Sequence, residues 1–172
     1  MAGDEGRSER LMDDTEGTDD ALLPLRVWLA LFSSVKQIEG VVRRNLREDF
    51  ASTLPRFDLL SQLYRIPDGL TMGELSNRLI VTNGNVTGLI NRLLAEGLVE
   101  RLVDAEDRRV QRVSLTRKGR RLFATMAPAN QAWINGVMAG LGTDDLRDLH
   151  RLLTKLKSSA AHHGQDTDSP RE

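Results

Sequence analysis

The chain has 172 residues and no cysteine, and its net charge is −1. That length suits one compact domain with an added association element, and the lack of cysteine excludes disulfides, thiolate zinc sites and thiol-based redox sensing. The charge is segregated: residues 1–20 carry −6, residues 161–172 carry −2, and residues 21–160 therefore carry +7. A basic body of this kind fits a polyanionic partner as well as an ordinary solvated surface.

No run of eighteen apolar residues is present, and residues 1–20 lack the apolar core of a secretion signal. The histidines His150, His162 and His163 are expected at the surface, because no carboxylate partners can be assigned to them. The sequence therefore predicts a cytoplasmic protein without membrane contact, metal or cofactor.

The first predicted element is a long helix. Residues 1–20 are acidic and poor in large apolar side chains, which predicts a disordered tail. Apolar residues then recur at steps of three and four, which predicts one continuous helical stripe made by Leu25, Trp28, Phe32, Val35, Ile38, Val42 and Leu46. A helix of about 30 residues exceeds the usual 11–12. One small domain can hardly cover it, so a second subunit is expected to do so.

Two shorter helices are predicted next. Pro55 suits the first turn of a helix that the turn at 67–69 ends. Thr71 and Glu74 have the spacing of a capping box, which opens a helix over 72–80.

A further helix is predicted over 83–96, with Thr82 as its N-terminal cap. Gly97 follows its last turn and can adopt the left-handed conformation that ends a helix, with Leu98 placed to contact Leu93.

A β-hairpin and two helices complete the chain. The runs 98–103 and 109–115 favour strands joined by a charged tip. Thr116 is expected to cap the next helix, which Pro128 should kink or divide, and Thr143 to cap the last. The fold predicted is mainly α with a small β-hairpin wing, a winged helix-turn-helix flanked by long N- and C-terminal dimerisation helices. Its parts are the tail 1–20, the N-terminal dimerisation helix 21–53, the winged lobe 54–116, the C-terminal dimerisation helices 117–160 and a disordered tail 161–172.

The helix over 83–96 has two unlike faces. Its inward face consists of Val86, Leu89, Ile90 and Leu93, and its outward face of Asn83, Gly84, Asn85, Thr87, Gly88, Asn91 and Arg92. Asparagine and arginine can each make paired hydrogen bonds to base edges, and glycine permits close approach. Thr82 and the N–H groups of the first turn can hold a phosphate. An ordinary exposed helix is the alternative, but asparagine and glycine are poor helix formers, which favours DNA reading.

The predicted wing tip carries Arg108 and Arg109, which suit insertion into a minor groove. Asp104 or Asp107 is expected to pair with one arginine and aim it, while the other enters the groove. The alternative is a solvated charged turn with no role.

The stretch GLTMGELSNRLIVTNGNVTGLINRLLAEGLVERLVDAEDRRVQRVSLTRKG resembles the central region of the MarR family, with its GLVER, DxxDRR and LTxxG motifs. The resemblance spans roughly residues 22–157. It implies a triangular dimer on a palindromic operator, and a repressor that releases DNA when a small, often aromatic, anion binds. By position, the resemblance assigns the major groove to Asn83, Asn85, Thr87, Asn91 and Arg92, and the wing to Arg108 and Arg109. Pro128 departs from the family, in which that helix is often unbroken.

The family's effector lies between the dimerisation helices and the DNA-binding lobe. In this chain, that zone would be bordered by Trp28, Phe32, Asp58, Tyr64 and Arg65, with Met72 nearby. An aromatic wall with an arginine suits a phenolic or aryl carboxylic acid, or its coenzyme A thioester. The alternative is that Trp28 and Phe32 are plain core and Arg65 plain surface.

Two other classes of function are the alternatives: an enzyme, and a winged helix that contacts only proteins. An enzyme is not expected, because the chain has no paired histidines, GxGxxG, phosphate loop or GxSxG. A winged helix that contacts only proteins would present anchors such as Leu, Phe or Tyr on the outward face, where Asn, Thr and Gly stand instead.

Overall fold

The computed structural model describes the backbone of residues 5–79, 86–103 and 111–166, and the side chains of 20–79, 86–103 and 111–163. Its elements are α1 Glu5–Phe50, α2 Leu54–Arg65, β1 Leu70–Thr71, α3 Met72–Arg78, α4 Val86–Ala95, β2 Val99–Val103, β3 Gln111–Leu115, α5 Arg117–Val137 and α6 Thr143–Asp166. The chain forms two compact units, Met1–Gln131 and Ala132–Glu172. The mainly helical class and the order of elements agree with the sequence prediction.

A three-stranded antiparallel sheet has the order β1-β3-β2. The predicted hairpin is confirmed, with Val99 opposite Leu115 and Val103 opposite Gln111. Strand β1 was not predicted. It pairs Leu70 with Val113, and its two residues are too few to show the alternation that marks a strand in a sequence.

The core of the first unit lies between α2, α3, α4, the start of α5 and one face of the sheet. Its fully or nearly buried residues are Leu59, Leu60, Leu63, Leu70, Leu75, Ile90, Leu93, Leu98, Val99, Val113, Leu115, Phe123 and Met126. Burying each large apolar side chain contributes about 1.5–3 kcal/mol, so this core fixes the shape of the lobe. Two rings of α2 reinforce it, since Phe57 and Tyr64 contact Phe123 at 5.4 and 4.9 Å between centroids.

The local signals at the helix ends are confirmed. The Thr71 N–H donates to Glu74 Oε2 at 2.8 Å and the Glu74 N–H donates to Thr71 Oγ1 at 3.2 Å, which completes the capping box of α3. Gly97 has φ +68° and its N–H donates to the Leu94 carbonyl at 2.9 Å, while the Leu98 N–H donates to that of Leu93 at 2.9 Å. These two bonds form a Schellman motif, which ends α4 where the sequence predicted.

The long helices differ from their predicted bounds. Helix α1 begins at Glu5, within the tail expected to be disordered, and α6 continues to Asp166. The tail 1–20 contains glutamate, arginine, leucine and methionine, which are good helix formers. A segment with few apolar residues can therefore still be helical. Pro128 lies inside a continuous α5, so the expected division there is wrong.

The cap of α6 also differs from its prediction. Thr143 is the first residue of the helix, and the Asp145 carboxylate accepts from the Gly142 N–H at 2.9 Å. The N-cap position therefore falls on Gly142, one residue before the predicted cap Thr143, and an acid of the first turn accepts from its N–H.

Between residues 20 and 50, where the side chains of α1 are described, the fully buried positions lie near the end of the helix. Val42 and Leu46 are buried, and α1 contacts α2. Further back, large apolar side chains are 50–60% exposed and form what we call the exposed apolar stripe: Leu22, Leu25, Trp28, Leu29, Phe32 and Val35. The segment Asp20–Phe50 is also long and apolar enough to cross a membrane, although Arg26 and Lys36 interrupt it. Helices covered by another chain share this property, so it is weak evidence of a span.

Candidate nucleic-acid interface

Helix α4 presents a polar face to solvent, as the sequence predicted. Ile90 and Leu93 are 0% and 1% exposed and fix the helix to the core. The opposite side, which we call the polar face of α4, consists of Thr87, Gly88, Asn91 and Arg92. Thr87, Asn91 and Arg92 are exposed, and Gly88 is half-buried. Hydroxyl, amide and guanidinium groups can all hydrogen-bond base edges or phosphates, so this face is suited to DNA.

The Arg92 side chain lies against its own helix. Its Nε donates to the Gly88 carbonyl at 3.4 Å, a long hydrogen bond. A bond this weak is readily exchanged for a stronger one to a phosphate or a guanine, because charge-assisted hydrogen bonds are shorter and stronger.

Neighbouring elements hold the C-terminal end of α4. The guanidinium of Arg56 on α2 binds the Glu96 carboxylate with both terminal nitrogens, at 2.8 Å to Oε1 and 2.5 Å to Oε2. Lys118 Nζ donates to the Glu96 carbonyl at 2.8 Å, and Thr116 Oγ1 donates to the Gly97 carbonyl at 2.7 Å. Cations at a helix C-terminus also suit its dipole. The polar face of α4 is therefore held in a fixed orientation on the lobe.

A strand residue contacts the polar face of α4 directly. Arg101 on β2 donates from a terminal guanidinium nitrogen to Asn91 Oδ1 at 3.2 Å, and both residues are exposed. Neither Arg101 nor Arg56 was among the site residues predicted from the sequence. Arg101 stands in the GLVER motif, but its bond to Asn91 depends on how β2 packs beside α4.

Helix α3 is the first helix of the helix-turn-helix, and Glu74 stabilises its N-terminus. The N–H of Thr71 donates to this carboxylate, which holds the Glu74 pKa below its ordinary value; the Thr71 side chain and the charges of Arg112 and Arg78 act in the same direction. Arg112 on β3 lies 3.5 Å from Glu74 and links α3 to the sheet.

Much of the expected DNA contact set lies outside the described residues. It comprises Thr82, Asn83 and Asn85 before α4, and Asp104, Asp107, Arg108 and Arg109 between β2 and β3. Their roles remain predictions.

The expected effector residues lie in different environments. Trp28 and Phe32 stack on each other at 6.0 Å and are 58% and 55% exposed, so they are not the plain core of this chain. Asp58 is buried, with Gln62 Nε2 donating to its Oδ1 at 3.4 Å. Tyr64 is 43% exposed, and its ring packs on Phe123.

Arg65 is exposed and Met72 half-buried. Sequence analysis missed Lys36, whose Nζ lies 5.6 Å from the Phe32 ring centroid. Its position four residues after Phe32 could have indicated the contact.

No cluster of three metal-ligating side chains occurs among residues 20–79, 86–103 and 111–163. His150 and His162 are exposed, and His162 Nδ1 lies 2.7 Å from the Ser158 carbonyl.

Known proteins resemble this chain in sequence and fold. A family model described as MarR family matches residues 53–110. The uncharacterized HTH-type transcriptional regulator YsmB of Bacillus subtilis (strain 168) is 29% identical over 137 residues, which are 78% of this chain and 93% of the relative.

Two solved structures extend the comparison. A crystal structure of a MarR family transcriptional regulator from Silicibacter pomeroyi has a TM-score of 0.70 and 32% identity, and the match covers 83% of this chain and 98% of that one. The S. aureus MepR–DNA complex has a TM-score of 0.65 and 26% identity, and the match covers 77% of this chain and 97% of MepR.

Proposed function

Because this chain belongs to the MarR family of transcriptional regulators, which bind DNA and are not enzymes, we propose that it reads an operator by inserting the polar face of α4 into the major groove. The observation that carries the proposal is the exposure of Thr87, Asn91 and Arg92 on the side opposite the buried Ile90 and Leu93. The similarity to MepR, whose structure includes DNA, supports it.

Residues beside the described elements complete the proposed interface. Asn83 and Asn85 would precede Thr87 on the same face, and Thr82 would hold a phosphate at the N-terminus of the helix. Arg108 and Arg109 would enter the minor groove, with Asp104 or Asp107 aiming one of them. The register of β2 and β3 supports a wing, because these strands pair up to Val103 and Gln111 on either side of the segment 104–110.

The second part of the proposal is a homodimer. The exposed apolar stripe of α1 is larger than a scatter of single surface residues, and α6 has its own exposed leucines, Leu146, Leu152, Leu153 and Leu156. We favour a second copy of this chain as the partner that covers these apolar surfaces. A two-fold dimer would read an inverted repeat with half-sites about 10 bp apart, or a multiple of that.

The third part is regulation by a small molecule. We favour a repressor that is released by a phenolic or aryl carboxylic acid, or by its coenzyme A thioester. Within the contact with the second copy, the Trp28–Phe32 stack would offer a flat apolar surface, and Lys36 beside it would offer a charge for a carboxylate. Asp58, Tyr64 and Arg65 of α2 would border the same site. The cytoplasm is the proposed location, because the regulator and its operator must share a compartment.

The test of DNA reading is a titration against operator fragments, which are first selected with the full-length protein from genomic DNA. We expect log affinity to fall linearly with log salt, and Asn91→Ala or Arg92→Ala to weaken specific binding by about 5- to 150-fold, the range for one base contact. Arg147→Ala is the control for Arg92→Ala, since it removes an exposed arginine from α6. If no fragment is selected and affinity does not depend on salt, the winged helix serves protein contacts instead.

Effector binding is tested on the same protein with a panel of phenolic and aryl carboxylic acids and their thioesters. A true effector raises the thermal midpoint of the free protein and lowers its affinity for the operator. If no compound of the panel causes either change, this part of the proposal is refuted, while the proposal of DNA reading is unaffected.

A further inference from the structure

The contact between Arg101 and Asn91 determines how the asparagine amide is turned. A guanidinium has hydrogen-bond donors and no acceptor, so the atom that faces it at 3.2 Å must be the amide oxygen. The Asn91 Nδ2 group then points away from Arg101. Its two hydrogens are the donors that the amide can present away from β2.

This orientation changes which base edge suits Asn91. An asparagine reads adenine by accepting from N6 and donating to N7 at the same time. In this structure one lone pair of Oδ1 accepts from Arg101, so the oxygen end of the amide faces β2 and the donor end is the one free to meet a base. Guanine presents two acceptors in the major groove, N7 and O6, whereas adenine presents one acceptor and a donor that would oppose Nδ2.

We propose that Arg101 is a positioning residue that turns Asn91 into a donor and makes it select guanine over adenine at one base pair of each half-site. The inference rests on the proposed function and extends it, since it names the edge that Asn91 reads and the residue that sets its choice. Arg101 lies on β2, the first strand of the wing, so the wing strand takes part in major-groove reading through its contact with α4.

The experiment uses the full-length protein and a selected operator, with each position of a half-site varied in turn. For the wild-type protein we expect one position, alike in both half-sites, to prefer guanine over adenine by roughly 5- to 150-fold, the range for one base contact. Arg101→Ala frees the amide to rotate, so most of this preference should be lost while the preferences at other positions remain. Arg101→Lys retains a cationic donor group on one nitrogen and should restore part of the preference.

Two further variants make the test specific. Asn91→Ala should lose the same preference, and the double variant should resemble Asn91→Ala alone, because the two residues act through one contact. Arg117→Ala removes an exposed arginine from the start of α5 and serves as the charge-matched control. Thermal unfolding of Arg101→Ala checks that the fold is intact.

Two results would overturn the inference. An equal loss of affinity for all sequences, with a salt slope smaller by about one, would identify Arg101 as a phosphate contact. A guanine preference that survives in Arg101→Ala, or an effect no larger than that of Arg117→Ala, would show that the amide is set by something else. Failure of the wild-type protein to prefer any sequence would instead contradict the proposed function.

Discussion

The winged lobe and the first part of α1 use the same apolar residue types in opposite ways. Leucines of the lobe such as Leu59 and Leu75 are fully buried, whereas Leu22 and Leu25 of α1 are 50% and 52% exposed. Burial of such a side chain contributes about 1.5–3 kcal/mol, so the lobe gains this energy within one chain and α1 does not. The difference teaches that the core of the lobe is complete within one chain, whereas the exposed apolar stripe is left uncovered by that chain.

The comparison also separates two tasks. The lobe holds its polar face in place by a packed core and by one ion pair and two hydrogen bonds at the end of α4, which suits precise contacts with DNA. Helix α1 presents an apolar surface, which suits association. Substitutions that change one region at a time can tell the two tasks apart.

The largest effect is expected from Gly119→Ala in the lobe. A Cβ on Gly119 would lie 2.0 Å from the Leu98 carbonyl oxygen, a backbone atom that cannot move without shifting β2. We expect a loss of more than about 3 kcal/mol in the free energy of unfolding, measured by urea denaturation. Gly40→Ala in α1 is the control: its Cβ would meet nothing within 4 Å, and it should stabilise the protein by about 0.5–1 kcal/mol. Equal effects of the two would contradict the packing described for the lobe.

Phe32→Glu addresses the other region. If a second copy covers the exposed apolar stripe, this change removes an apolar ring from the interface and desolvates a carboxylate there, even where Lys36 pairs with it, so the dimer dissociation constant should rise about 100-fold or more. The lobe should remain folded, because Phe32 is 55% exposed and lies outside its core. Sedimentation across a concentration series measures the change. Gln37→Glu, an exposed polar position of the same helix, is the control and should leave the dimer intact. A Phe32→Glu protein that remains fully dimeric would remove α1 from the interface.

The lobe was predictable wherever its structure depends on neighbours in the sequence. Thr71 with Glu74, and Gly97 with Leu98, are local patterns with one common structural outcome, and both formed as expected. The two faces of α4 followed from the helical period alone. Strand β1 could not be predicted, because only its pairing with β3 defines it.

The sequence predicted which residue types form the candidate site, but it did not predict the residues that hold them in place. The residue types of the polar face of α4 indicated DNA, but the partners that hold it come from distant positions: Arg56 is 40 residues from Glu96, and Arg101 is ten from Asn91. Such pairs depend on how elements pack, which a single sequence does not reveal. Trp28 and Phe32 show the same limit, since the helical period cannot tell an interior stripe from one left exposed.

Smaller effects on stability, opposite in sign, are expected from substitutions at the ends of α1 and α4. Ala51 ends α1 with φ +46°, and Gly97 ends α4 with φ +68°. A left-handed conformation costs a residue with a Cβ about 1–2 kcal/mol, and glycine avoids this cost. Ala51→Gly should therefore stabilise the protein by about 1 kcal/mol and Gly97→Ala should destabilise it by a similar amount, both measured by thermal or urea unfolding. Changes of the same sign would mean that contacts, and not backbone conformation, determine these two positions.

The smallest effect concerns pH and belongs to the lobe alone. Glu74 has a lowered pKa because its carboxylate accepts from the Thr71 N–H, so its contribution to stability is present above the ordinary glutamate pKa of about 4.3. That contribution is lost as pH falls through the lower pKa of the folded state. Glu74→Gln keeps an acceptor but does not titrate, so the wild type should be the more stable protein at pH 7, by a margin that holds down to about pH 5 and shrinks below it. Urea unfolding of both proteins between pH 7 and pH 3.5 measures the margin, and one that is unchanged at pH 3.5 would show that the charge of Glu74 does not hold the start of α3.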